Sequence, residues 1–401
     1  MKIKSIIAVA LIATICSTTA YAKKKKEAPK TPEKYKFEVV KQNPITPIKN
    51  QSSSGTCWAF SALSFFESEI LKAGYKGEDL DLSEMFIVSN AYKDKAEKFV
   101  RLHGSLNFAA GSSFGDVLTV LKQDGIVPEK EMDGLEYGTD KHRHGEMDAV
   151  TKAYVDAVIT NPNRTLSTAW KKGFAGIIDA YLGEVPAEFE ANGKTETSKS
   201  YMESLGINLD DYVDLTSFTH HPFYEQMVIE VADNWRWERA YNLPIEELVA
   251  IIDNAIENGY TVAWASDVSE RGFSRNGLAT VPDLSKIEET GSDQARWIGV
   301  SKEDKNHLQY ECPCPEKEIT QEMRQEGFDN YQTTDDHGMH LFGIAKDQTG
   351  KKFYMIKNSW GEAGQFKGYW YVSEAFLKYK TMDVLVNKNA IPAEIRAKLG
   401  I

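Results

Sequence analysis

Cys57 is the residue whose type and position point most directly to covalent chemistry. It opens a stretch in which Ala59, Leu63, Phe66 and Ile70 recur at helical spacing, so Cys57 to Lys72 reads as an amphipathic helix closed by Gly74. A thiol attacks carbonyl carbon as its thiolate, and a helix N-terminus beside an imidazolium lowers the thiol pKa toward that form. A low-pKa Cys57 is therefore expected. Such a nucleophile needs a base that cycles between imidazole and imidazolium, and the base needs an acceptor on its other nitrogen. The chain offers 8 histidines. His337 stands in the run Asp336-His-Gly-Met-His340 at the entrance to a strand-like segment, and Asn358 follows the next such segment. His340 is the rival base, but three residues along a strand it faces the opposite way from His337. The pair His220-His221 suggests a metal, yet adjacent side chains diverge, so a structural or pocket-rim role is expected. His142 and His144 read as solvated. Cys312 and Cys314 flank Pro313 without two further ligands at metal-site spacing, so they read as surface-loop cysteines and no metal is expected.

The segment Asn50-Gln-Ser-Ser-Ser-Gly-Thr-Cys57-Trp-Ala-Phe-Ser61 resembles the nucleophile segment of papain-like cysteine peptidases, and Asn358-Ser-Trp-Gly361 resembles their asparagine segment. The resemblance implies a Cys57–His337–Asn358 triad, Trp360 shielding the Asn–His hydrogen bond, and Gln51 donating to the oxyanion beside the backbone N–H of Cys57. It also implies a substrate-binding role for Gly111 and Ser112, which match the family's glycine pair in part. Ser54 departs from the pattern, standing where secreted relatives carry a disulfide cysteine. The histidine and asparagine follow Cys57 at about twice the roughly 130–150 residues usual for papain-type enzymes. That long interval, with Leu215-Thr-Ser-Phe-Thr-His-His-Pro-Phe-Tyr224, resembles the bleomycin hydrolase and aminopeptidase C branch.

These residues need elements to hold them. Pro244 opens a helix lined by Ile245, Leu248, Val249, Ile252, Ala255 and Ile256, and Gly259 closes it. Strand-like runs follow at Tyr260–Ser266, Met339–Ala345, Lys352–Lys357 and Gly368–Val372, with a hairpin turn at Asp347–Gly350. The expected fold is α+β: a papain-like two-lobed cysteine peptidase in a domain at 44–401, with a mainly helical insertion at about 129–243. Residues 1–22 read as a secretory signal peptide and 23–43 as a charged linker, which places the protein in the periplasm or outside the cell. No later run is long and apolar enough for a membrane span.

The 42% hydrophobic and 11% aromatic content of 401 residues is that of a globular enzyme. A net charge of -12 argues against a nucleic-acid partner. Together these observations imply amide hydrolysis through an acyl-enzyme, with a peptide or protein as partner and no cofactor required. The resemblance implies aminopeptidase action and a homo-oligomer. In that branch a C-terminal arm returns to the cleft, whereas this chain ends at Ala397-Lys-Leu-Gly-Ile401 without the arm's usual sequence. A papain-like endopeptidase with an open cleft stays open as an alternative, as does a catalytically silent peptide-binding module.

Overall fold

The computed structural model describes residues 33–77, 80–283, 285–286 and 309–401. The elements run β1 (Phe37–Gln42), α1 (Cys57–Lys72), α2 (Glu84–Arg101), α3 (Phe114–Asp124), α4 (Gly145–Ile159), α5 (Ala169–Leu182), β2 (Phe189–Ala191), β3 (Lys194–Glu196) and α6 (Ser198–Ser204). Then come β4 (Tyr212–Thr216), β5 (Gln226–Val228), β6 (Arg239–Asn242), α7 (Ile245–Glu257), β7 (Val262–Ser266), β8 (Phe273–Ser274) and β9 (Leu278–Ala279). The chain closes with α8 (Gln321–Asp329), β10 (His337–Asp347), β11 (Lys352–Lys357), β12 (Tyr369–Ser373), α9 (Glu374–Lys380), β13 (Thr381–Asn387) and α10 (Ala393–Leu399).

Helix α1 starts and stops where its spacing predicts, but it is not amphipathic in place. Every residue from Trp58 to Ile70 is buried. The reason is its position between the sheet and the other helices: α1 lies against β10 and β7 on one side and against α2 and α3 on the other. Small residues at Ala59, Ser61, Ala62 and Ser64 permit that double contact.

Strand β10 organises the sheet. Its first half pairs antiparallel with β7 (His337↔Ser266, Leu341↔Val262) and its second half with β1 (Phe37↔Asp347), while β11 runs along the other edge (His340↔Lys357). The β10–β11 turn forms as expected: the Asp347 carboxylate accepts from Thr349 N and Lys351 N, and Gly350 takes a φ of 87°. One hydrophobic core gathers α1–α3 with the helices beyond them, and a second gathers α7 with β7, β10, β11 and β13. The architecture is the expected α+β arrangement of a helical lobe against a strand-rich lobe.

Two segments differ from expectation. Phe37–Gln42, read as linker, is a strand on β10, its side chains largely exposed because it covers an edge. Residues 129–243 hold α4, α5 and α6, but β4, β5 and β6 within them join the main sheet. Tyr212–Thr216 is short and pairs with β13, distant in sequence, so helical periodicity upstream masked it. Among the described residues no helix is long and apolar enough to cross a membrane.

Candidate active site

The nucleophile segment is held as a tight turn leading into α1. Gln51 N–H donates to Ser359 O (2.8 Å), Ser53 N–H to His142 O (3.0 Å), and the Ser54 hydroxyl to Gln51 O (2.8 Å). Ser54 thus anchors the turn by hydrogen bonds in place of a disulfide. Gly55 has a φ of 67°, and a Cβ there would come within 2.7 Å of Ala110 Cβ. Glycine is required by conformation and by space. Across from the turn, β10 touches the first turn of α1: a Cβ on Gly338 would meet Ser61 Oγ at 2.7 Å. That close approach sets His337 at the same cavity as Cys57.

His337 Nε2 lies 2.8 Å from Asn358 Oδ1, an oxygen that also accepts from Ser359 N–H (2.8 Å). The Asn358 amide is thereby fixed with its oxygen toward the ring, which puts the proton of a neutral imidazole on Nε2 and leaves Nδ1 as its acceptor nitrogen. The Trp360 ring stacks on His337 with centroids 4.7 Å apart and planes 28° apart. The Ser359 hydroxyl donates to Gln51 Oε1 (2.6 Å), which leaves the Gln51 NH₂ as the donor available at the cavity it lines.

The cavity has a volume of about 370 Å³. Beyond Cys57, His337 and Gln51, its lining among the described residues carries six carboxylates, Asp214, Asp233, Glu238, Asp335, Asp336 and Asp383, against the single cation Arg239. Burial, and then the charge of neighbouring carboxylates, raises Asp214 and Asp335 well above the usual carboxylate range. Burial pushes Asp383 up to about 7. Burial also pushes the Cys57 thiol up to about 11; Gly338 and Trp58 N–H groups oppose this, and Asp335 and Asp233 reinforce it. His337 is pushed down to about 4 by burial against the opposing hydrogen bond from Asn358. Burial and the acidic wall thus act against the low-pKa thiolate expected from the helix start, favouring thiol and imidazole.

A family model described as papain family cysteine protease matches residues 31–173, the part that holds Cys57, and one described as peptidase C1-like family matches residues 316–400, which hold His337 and Asn358. The chain belongs to the papain-like cysteine peptidases. It is 21% identical over 389 residues to an aminopeptidase C of Streptococcus thermophilus, covering 86% of this chain and 81% of that protein. It is 22% identical over 400 residues to bleomycin hydrolase of Gallus gallus, covering 88% and 82%. The fold matches the crystal structure of PepW from Lactobacillus rhamnosis with a TM-score of 0.66 at 20% identity, over 90% of this chain and 84% of that one. These relatives overturn one expectation. Aminopeptidase C and bleomycin hydrolase are cytosolic peptidases, so the periplasmic or extracellular assignment is withdrawn. Residues 1–22, on which it rested, lie outside the described residues.

Elsewhere in the peptidase, some predicted residues sit where expected and others do not. Gly111 and Ser112 line the cavity but are already engaged: Lys95 Nζ donates to Gly111 O (2.5 Å), and Trp235 Nε1 to Ser112 Oγ (2.7 Å). Asp233 lies where a Gly111 Cβ would be, 1.8 Å from it. His340 faces away from the cavity, fully buried with Nδ1 2.8 Å from Ser64 Oγ. His142 and His144 are buried, not solvated, because backbone bonds to Ser53 clamp their segment onto the nucleophile turn. Cys312 and Cys314 are buried, so the surface-loop reading fails; Cys314 donates to Gln309 O (3.2 Å). Helix α10 packs on α7, with Ile395 and Leu399 buried and Lys398 paired to Glu247, and no residue from 393–401 lines the cavity. The carboxylate wall escaped the sequence reading, since its members come from separate elements without a motif and only the net charge hinted at it.

Proposed function

We propose that the chain is a thiol-dependent aminopeptidase in which Cys57, His337 and Asn358 form the triad. The observation that carries this reading is the 2.8 Å His337–Asn358 hydrogen bond beneath Trp360, at the cavity that Cys57 shares. His337 Nδ1 takes the thiol proton as Cys57 Sγ attacks the scissile carbonyl. Gln51 Nε2 and Cys57 N–H receive the oxyanion. His337 then protonates the leaving amine, which departs, and activates the water that cleaves the thioester. Asn358 holds the Nε2 proton throughout and carries none of the transfer.

The exopeptidase part of the reading rests on the carboxylate wall. Asp335, Asp383, Asp214 and Asp233 provide acceptors for a substrate's α-ammonium, and a bound cation offsets the burial of these carboxylates, and at Asp214 and Asp335 the repulsion of neighbouring carboxylates, that raise their pKa values. Residues 129–243, as an insertion into the domain at 44–401, supply Asp214, Asp233 and Glu238. Gly111 contributes backbone shape to the substrate groove, and Ser112 acts through Trp235. One observation favours endopeptidase action as a second reading: no residue of α10 or the tail after it stands in the cavity to bar a longer peptide. Rapid-quench mass spectrometry with a slow ester substrate tests the shared mechanism. An acyl adduct confined to Cys57 is expected; turnover without any adduct on Cys57 contradicts it.

A further inference from the structure

Outside the cleft, His220, His221 and Glu230 bring three metal-ligating atoms within 4.8 Å of one another. His220 Nε2 lies 3.0 Å from Glu230 Oε2, and His221 Nε2 lies 3.0 Å from Glu230 Oε1. Neighbouring side chains on a regular strand would diverge; here they converge because the backbone turns between them. Buried Asn242 fixes that turn, donating from Nδ2 to Phe218 O (2.7 Å), His221 O (3.0 Å) and Pro222 O (3.2 Å) while its Oδ1 accepts from Phe218 N–H (2.8 Å). The ligand positions are thus built on a braced loop.

The far side of His220 is also provided for. Gln325 on α8 sits against His220 Nδ1, with Oε1 at 3.3 Å and Nε2 at 3.0 Å, and its Oε1 also accepts from Thr219 N–H (2.6 Å). A proton on Nδ1 has an acceptor in Oε1, and Nε2 keeps its lone pair for an ion. An outer partner of this kind is the usual companion of a metal-bound imidazole. The Phe328 ring stacks on His220 at 5.7 Å and restricts its rotation.

We propose that His220 Nε2, His221 Nε2 and the Glu230 carboxylate bind one divalent transition ion, with Zn²⁺ the best fit. Two imidazoles and a carboxylate match its ligand preference, and three protein ligands leave a fourth position for water. One positive charge remains on the assembled site. Glu230 lies between Ile229 and Val231, both of which line the catalytic cavity, so the ion ties that wall to the His220 loop and, through Gln325, to α8. The site is independent of the triad.

The test uses Cys57→Ser, which removes the cleft thiol as a competing ligand, titrated with zinc chloride by calorimetry. One ion per chain is expected. Binding should weaken by more than about 100-fold in His220→Ala/His221→Ala and by about 10–100-fold in Gln325→Ala, the size of an outer-partner loss. Absence of one-to-one binding, or equal affinity in the double variant, overturns the proposal. If the double variant melts early, Co²⁺ on Cys57→Ser alone decides the matter. A tetrahedral visible spectrum without thiolate charge transfer supports the site, whereas a thiolate band assigns the ion to Cys312 or Cys314 and overturns it.

Discussion

The two walls of the catalytic cavity are built on different principles. One wall comes from short contiguous segments: residues 51–58, His337–Gly338 and Asn358–Trp360. Its parts lock together through short hydrogen bonds, and each is recognisable from neighbours along the chain. The other wall is assembled by topology. Asp214 and Asp383 come from adjacent antiparallel strands, in register Leu385↔Asp214 and Asp383↔Thr216, which makes them diagonal neighbours on one sheet face. Asp335 arrives from the loop before β10 and Asp233 from the loop between β5 and β6. The residues assigned to the chemistry are encoded locally here, whereas the proposed charge complementarity to a substrate amine emerges from folding.

Substitutions separate the two walls. Cys57→Ala and His337→Ala should each lower kcat by on the order of 10⁴–10⁶-fold, as for members of other nucleophilic triads. His340→Ala should leave kcat within a few fold and cost about 1–3 kcal/mol of stability in denaturant melts, because only a buried hydrogen bond and packing are lost. Collapse of activity in a folded His340→Ala would reverse the assignment of the base. Gln51→Ala should lower kcat by about 10²–10³-fold, the size of a lost oxyanion donor, and Asn358→Ala should cost less than His337→Ala.

The acidic wall should respond in KM. Asp335→Asn and Asp383→Asn should raise KM for peptides with a free N-terminus by about 10–100-fold, the worth of a charge-assisted hydrogen bond. Hydrolysis of N-acetylated peptides should not change. The pH profile sharpens the contrast. As pH rises through about 7 Asp383 ionises and ammonium binding strengthens, so kcat/KM for unblocked peptides rises. Above about pH 8 the α-amine itself deprotonates and the rate falls. The linkage to stability has the opposite sign: a carboxylate raised in the fold stabilises it fully below its unfolded pKa of about 4 and loses that contribution as pH rises through about 7. Melting temperature should therefore fall from pH 5 to pH 8, and less so in Asp383→Asn.

The smallest effect belongs to the C-terminal segment. Deleting Lys398–Ile401 removes the Lys398–Glu247 contact and part of a hydrophobic seam, so stability drops modestly while selectivity for unblocked peptides stays. Loss of that selectivity would transfer the amine-binding role from the carboxylates to the tail.

Much of this was legible in the sequence because the signals are local. The bounds of α1 and β11, the strand entrance at His337 and the turn at Asp347–Gly350 follow from periodicity and turn chemistry. The strands β4–β6 were not legible: they are short, and their partners lie far along the chain. Reading His142 and His144 as solvated failed because polarity of neighbours says nothing of a segment clamped across another turn. The expected divergence of the His220 and His221 side chains failed for the converse reason, since the backbone bends between them. Of the influences on the thiol, a helix start is visible in sequence, whereas burial and an acidic wall across a cavity are not.

The most direct measurement compares kcat/KM for one peptide amide in two forms, with a free and with an acetylated N-terminus, across pH 6 to 9. The account predicts a strong preference for the free form that peaks between about pH 7 and 8 and shrinks in Asp335→Asn and Asp383→Asn. Equal cleavage of both forms by the unmutated peptidase, with no dependence on those carboxylates, would contradict it.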